Sequence, residues 1–230
     1  MTPLLLIHGA AGTHRIWDQV VNELPGARAV DLPGHSAGTP LERIEDYADW
    51  LLAQTSAPSV LVGYAMGGSI AMEAALRAPG RVAALVLVNS GARIRVLQEL
   101  FQRLEADFPT GVNYIWENAA GRGADGHVIT AMVDASLTLD QRVVVADFKV
   151  VNRWDALSRV ANIDVPTLVV AGSDDLFTPP RYSEFLAGHI PNATLRIIEG
   201  AGHIVPMEAA QELCEEVRSF LTSHRLSAVA

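Results

Sequence analysis

A short turn, Gly63-Tyr64-Ala65-Met66-Gly67-Gly68, follows an apolar run and opens a helical pattern. A chain that passes this sharply from strand to helix pushes the side chain at the apex of the turn outward. Small residues are needed two before and two after that apex, because larger ones would clash. Gly63 and Gly67 meet the requirement. A serine at such an apex is a nucleophile. Ala65 stands there instead, and a methyl group cannot attack a carbonyl carbon. The helix beyond aims its first N–H groups at the apex and favours negative charge there. An oxyanion developing at this point needs two backbone donors. Met66, directly after the apex, and Ala10, in the loop after the first strand run, are the expected donors. The general base is expected to be His203, in the loop Gly200-Ala201-Gly202-His203 after the last strand run. Of the other histidines, His14, His127, His189 and His224 lie in polar or helical contexts that suit surface or packed roles.

The elements that must position these residues alternate. Strands are predicted at 4–7, 28–30, 60–62, 82–88, 166–171 and 193–198, and helices at 14–24, 44–54, 68–77 and 205–221, from apolar runs and helical spacing of apolar residues. Such a βαβα order implies a parallel sheet covered on both faces. The stretch 90–164 breaks the rhythm. It contains helical patterns at 96–104 and 141–151, a glycine-rich turn at 121–126 and no strong strand run. It is too long for a single crossover. We read it as a helical cap inserted over the C-terminal edge of the sheet, with 1–89 and 165–230 forming the core.

The 230 residues, half of them apolar, are enough for one sizeable core. A net charge of −9 argues against nucleic acid or an anionic membrane surface as the main partner. The single cysteine, Cys214, excludes an internal disulfide and a multi-cysteine metal site. No secretory signal or membrane-spanning run is visible, so a cytoplasmic protein is expected. The one lysine, Lys149, among many arginines has no functional reading.

Five segments together resemble the α/β-hydrolase fold family over nearly the whole chain. They are His8-Gly9-Ala10-Ala11-Gly12, Asp31-Leu32-Pro33-Gly34-His35-Ser36, the turn at 63–67, Gly172-Ser173-Asp174-Asp175, and Gly200-Ala201-Gly202-His203. The resemblance implies a mostly parallel sheet flanked by helices with an inserted helical cap. Members commonly carry two strands before the His-Gly strand. This chain begins almost at that strand, so either the sheet is shortened by those two strands or they lie outside this sequence. By the resemblance, Asp175 is the acid that orients His203, since Gly172, Asp175 and Pro179 fit the pattern G-x-x-D-x-x-x-P. Asp174 is read as a loop or capping residue, and His8 and His35 as loop hydrogen-bonding residues.

The resemblance points to a serine hydrolase of carboxylic esters that works through an acyl-enzyme, uses no metal or cofactor and takes a small-molecule ester. The chain itself would be deficient at the nucleophile position. Deliberate removal of the serine is the favoured explanation, because the contexts of His203 and Asp175 are intact. Two other readings stand beside it. One is cleavage or elimination at a carbon–carbon bond, as in ring-fission-product hydrolases and menaquinone-pathway lyases, with Arg93, Arg95, Arg142 and Arg153 available for substrate carboxylates. The other is a pseudoenzyme that binds a small molecule without turnover. Tyr114, Trp116, Phe148, Trp154 and Leu97 are candidate pocket walls, although aromatic residues in a cap serve as readily in packing.

Overall fold

The structure, a computed structural model, describes residues 2–226. Six strands form one sheet: β1 (Leu4–Ile7), β2 (Ala27–Val30), β3 (Ser59–Tyr64), β4 (Val82–Val88), β5 (Thr167–Gly172) and β6 (Ala193–Ile198). Their order is β2-β1-β3-β4-β5-β6, and every pairing is parallel. Among the described residues no strand precedes Leu4. The helices are α1 (Asp18–Glu23), α2 (Ile44–Ala53), α3 (Met66–Arg77), α4 (Gln98–Ala106), α5 (Phe108–Ala119), α6 (Gly126–Leu137), α7 (Gln141–Arg153), α8 (Pro180–His189), α9 (Val205–Glu208) and α10 (Ala210–Ser223).

The apolar strand runs are explained by burial on two faces. Side chains alternate across a strand. Leu4 and Leu6 of β1, with Val86 and Val88 of β4, pack in one core with Trp17, Leu213, Val217 and Phe220. Leu5 and Ile7, with Leu85 and Leu87, pack in the other with Tyr47, Leu51 and Ile70. The helical stretch between β4 and β5 joins both. Ile115, Trp116 and Phe148 pack in the first core, and Val150, Val151 and Trp154 in the second.

Three helices go beyond the sequence reading, namely α5, α6 and α8. The helix expected over 205–221 is two helices. The chain breaks at Ala209 (φ −142°, ψ 43°), after a four-residue helix that carries Pro206 in its first turn. The break leaves the Glu208 carboxylate turned back toward the loop that precedes it.

From β1 the chain steps outward to β2 and then returns across β1 to β3. The loops leaving β1 and β3 therefore part company at their C-terminal ends. In an open parallel sheet that point is where a crevice forms. Ala10 lies in the first of these loops and Ala65 in the second.

The approach of the two segments is close. A Cβ on Gly67 would overlap the carbonyl oxygen of Ile7, and one on Gly63 would overlap the carbonyl of Gly67. Gly67→Ala is expected to lose about 3 kcal/mol or more in denaturant unfolding. Gly80→Ala is the control. A Cβ there meets nothing within 4 Å, and its change should stay within about 0.5 kcal/mol. Equal stability of the two variants would contradict the packing described.

Candidate active site

Ala65 has φ 50° and ψ −114°, a conformation that L residues adopt only under constraint. Its backbone is held from several sides. The N–H donates to the Val88 carbonyl at 3.0 Å. The carbonyl accepts from Gly68 N (3.0 Å), Ser69 N (3.3 Å) and Ser90 Oγ (2.8 Å). These bonds tie the bend to β4 and to the first turn of α3. Met66 is the first residue of α3 and has no intrahelical acceptor for its N–H.

His203 and Asp175 are brought together by the loops after β6 and β5. His203 Nδ1 is 2.8 Å from Asp175 Oδ2, and both side chains are buried. Asp175 is fully engaged. Oδ1 accepts from the backbone N–H of Phe177 (2.8 Å) and of Thr178 (2.9 Å). Oδ2 accepts from Asn89 Nδ2 and Thr178 Oγ1, each at 2.7 Å. Burial opposes ionisation of this carboxyl. The charge and hydrogen bond of His203, followed by the Thr178 donors, outweigh it and hold the carboxyl down to about 2. Asp174, the neighbour read as a loop residue, instead pairs with Arg122 at 2.9 Å on the surface.

The His203 loop is fixed by a carboxylate that the sequence does not advertise. Glu208 Oε2 accepts from Gly121 N and Gly202 N, each at 2.9 Å, and Oε1 accepts from Ile204 N at 2.8 Å. The His203 N–H donates to the Ala119 carbonyl at 2.6 Å. The glycine-rich turn at 121–126 and the loop after β6 are thereby locked to each other.

The loop after β1 is held by two histidines, His8 and His35. His8 Nε2 accepts the Leu32 N–H at 3.0 Å, so Nδ1 carries the proton and donates to the Gly9 carbonyl at 2.8 Å. Burial, with repulsion from His35, lowers the His8 pKa to about 3, and the ring stays neutral. His35 donates from Nδ1 to the Gly12 carbonyl at 2.8 Å, and its Nε2 lies 3.3 Å from Asp147. Burial pulls the His35 pKa down, but attraction and hydrogen bonding to Asp147 raise it overall. The Asp147 carboxylate also accepts the Ala11 N–H at 3.1 Å. Ser136 Oγ donates to the Ala11 carbonyl, and Trp116 Nε1 donates to Ser136 Oγ at 2.8 Å. Helices α5, α6 and α7 thus grip one residue of the loop, Ala11, whose φ is 57°. Its neighbour Ala10 leaves its N–H without a protein acceptor among the described residues.

One cavity of about 290 Å³ gathers Ala10, Ala65, Met66 and His203 on its wall. Tyr114, Trp116, Phe148 and Leu97 line it too. Trp154 does not. Its indole is buried against the opposite core and donates to Glu73 Oε2 at 3.0 Å, so it serves packing between α7 and α3. Tyr64, Phe177 and Thr178, to which no sequence pattern points as pocket walls, also line it. Ring centroids of Tyr64 and Phe177 lie 5.1 and 5.3 Å from that of His203.

The chain matches the model of the alpha/beta hydrolase family over residues 4–216. It belongs to that family. Similar members include a pimeloyl-[acyl-carrier protein] methyl ester esterase from Neisseria meningitidis serogroup C, 28% identical over 94% of this chain and 92% of that protein. Another of the same description, from Nitrosomonas europaea, is 25% identical over 87% of this chain and 88% of that protein. Among solved structures, a thermophilic esterase is 32% identical, with a TM-score of 0.88 over 97% of this chain and 91% of its own. An enol-lactonase from Burkholderia xenovorans, 22% identical with a TM-score of 0.87 over 96% of this chain and 92% of its own, shares the fold. No helix among the described residues of this family member is long and apolar enough to cross a membrane.

The lowered Asp175 value has a consequence for stability. The folded carboxyl binds its proton more weakly than the unfolded one, whose value is 3.8. The resulting contribution, about 2 kcal/mol, is present above pH 4 and is lost as pH falls toward 2. Urea unfolding should show the parent chain losing about 2 kcal/mol more than Asp175→Asn between pH 6 and pH 2. Parallel pH profiles would remove Asp175 from the acid response.

Proposed function

We propose that this scaffold is a serine hydrolase of carboxylic esters in which alanine occupies the position of the nucleophile. The observation that carries the proposal is the strained bend at Ala65 on the wall of the cavity that also holds an Asp175-oriented imidazole. The esterase descriptions of several relatives support the reaction class. We take 90–164 as the cap and 1–89 with 165–230 as the core.

The mechanism follows from the groups present. A serine hydroxyl at 65 would attack the ester carbonyl while His203 Nε2 takes its proton. Asp175, bonded to Nδ1, fixes the tautomer and stabilises the imidazolium. The tetrahedral oxyanion would accept from the N–H groups of Ala10 and Met66, each such donor being worth roughly 3 kcal/mol. Collapse would break the bond to the leaving alkoxide, which takes the proton back from His203. Water activated by the same imidazole would then release the acid and restore the hydroxyl.

In this chain the first step has no attacking oxygen. The donors of the anion cradle are backbone groups, so substitution at 65 leaves them unchanged. The chain should therefore hold an ester without forming an acyl-enzyme. Lactones fit the same site, as cyclic esters with the same carbonyl chemistry.

Ala65→Ser is expected to raise turnover of an aryl ester at least about 10³-fold. His203→Ala in that background should remove the gain, by about 10⁴-fold or to the limit of detection. A restored serine variant inert toward esters, lactones and diketones would end the hydrolase reading. A variant active on diketones alone would turn it to carbon–carbon bond cleavage.

A further inference from the structure

Beside the reaction cavity lies a second hollow of about 260 Å³, lined by Arg93, Arg95, Arg181, Tyr182 and Phe185 among others. Arg95, Arg181 and Tyr182 line both, so the two spaces adjoin through shared walls. Three arginines line one hollow in a chain whose net charge is −9.

Their local compensation is incomplete. Arg93 and Arg95 share one carboxylate, that of Asp155, at 3.4 and 3.6 Å. Arg181 has no carboxylate partner among the described residues. Its guanidinium carbon lies 5.3 Å from the ring centroid of Tyr182, the residue that follows it. Three cations against one anion leave a surplus of positive charge. Glu99, the acid on the wall of the reaction cavity, is already bound by Arg103 at 2.6 Å. Placing unneutralised guanidinium groups together costs repulsion that an incoming anion would relieve.

The reaction cavity has an apolar side as well. Leu97 and Leu176, each 71% exposed, line it together with Ile94 and Val96. A ligand that satisfies both regions is apolar next to its ester and anionic at its far end. Guanidinium groups bind carboxylate and phosphate oxygens through paired N–H donors, with a geometric match that a lysine lacks.

We propose that the Arg93–Arg95–Arg181 hollow is an anion-binding subsite that receives the terminal oxyanion, carboxylate or phosphate, of a substrate whose ester carbonyl lies at Ala65. The identity of the bond at Ala65 rests on the ester reading above; the subsite itself does not. Arg181 supplies the free guanidinium. Arg93 and Arg95 reorganise their shared Asp155 contact to accept the ligand.

The chain with Ala65 is suited to the test, because it binds without turnover. Titration calorimetry would compare monomethyl esters of straight-chain α,ω-dicarboxylic acids with the matching dimethyl diesters, over a range of chain lengths. A second arm would use methyl esters of ω-phosphorylated alkanoic acids of equal length. The expected result is binding about tenfold tighter for the anionic member at the best length. Whichever arm binds tighter identifies the oxyanion. The preference should weaken with salt and fall below about twofold in Arg181→Gln. Arg181→Lys should restore only part of it. Circular dichroism melting would verify that these surface variants fold. Equal affinity for monoester and diester at every length in both arms would overturn the subsite, as would a preference untouched by Arg181→Gln. Hydrolysis by Ala65→Ser is read separately. Failure there with the anion preference intact removes the ester reading and keeps the subsite, and the reverse pattern does the opposite.

Discussion

A backbone bend at φ 50°, ψ −114° is the constraint around which the C-terminal end of the sheet is built. A residue held there costs on the order of 1–3 kcal/mol unless its surroundings enforce it. The enforcement is visible residue by residue. Gly63 and Gly67 let the strand end and the helix start pass within contact distance of each other and of Ile7. Ser90 and Val88 hold the two ends of the peptide at Ala65. Gly9 brings the loop after β1 so close that a Cβ there would sit 3.0 Å from the Ala65 methyl. The bend persists with alanine at its apex because none of these contacts needs an oxygen on the apical side chain. An oxygen added at 65 would therefore be a chemical change more than a structural one.

Buried and half-buried carboxylates organise the loops around that bend. Asp175, Glu208 and Asp147 come from three different parts of the chain, and each accepts one or more backbone N–H groups from a loop that borders the cavity. A buried carboxylate is tolerable only when its oxygens are satisfied. The requirement works in reverse too, since a loop that supplies the donors is fixed by them. Asp147 links α7 to the loop after β1 across 136 residues of sequence. Glu208 links the turn at Gly121 to the loop that carries His203. The helical stretch between β4 and β5 is thus wired into the site at its floor, where it holds backbone, as well as at its walls.

Much of the fold was legible because parallel strands buried on both faces must be uninterrupted apolar runs. Val82–Val88 and Ala193–Ile198 were readable to the residue. The bend at Ala65, its glycines and the His203 loop were readable because small residues at fixed spacing have few other uses. Other elements were hidden for identifiable reasons. Helix α5 has Pro109 in its first turn and contains Gly111, and α8 starts at Pro180 with Pro179 as its cap, so both begin with residues that read as turns. Trp154 departs from the expected pocket wall because an aromatic residue in a helical insert carries no sign of which way it faces; its partner is Glu73, 81 residues away. Glu208 and Asp147 look like ordinary helix acids. Their meaning lies in partners that only the folded chain brings near, and no local spacing encodes them.

The central claim is that an anion cradle and an oriented imidazole stand intact around a missing oxygen. A crystal structure of this chain with an intact ester bound tests it most directly. The predicted result places the ester carbonyl oxygen within hydrogen-bond distance of the N–H groups of Ala10 and Met66, the carbonyl carbon over the Ala65 methyl, and His203 Nε2 on the leaving-oxygen side. An ester bound elsewhere in the cavity, or with its carbonyl turned away from those two amides, would contradict it.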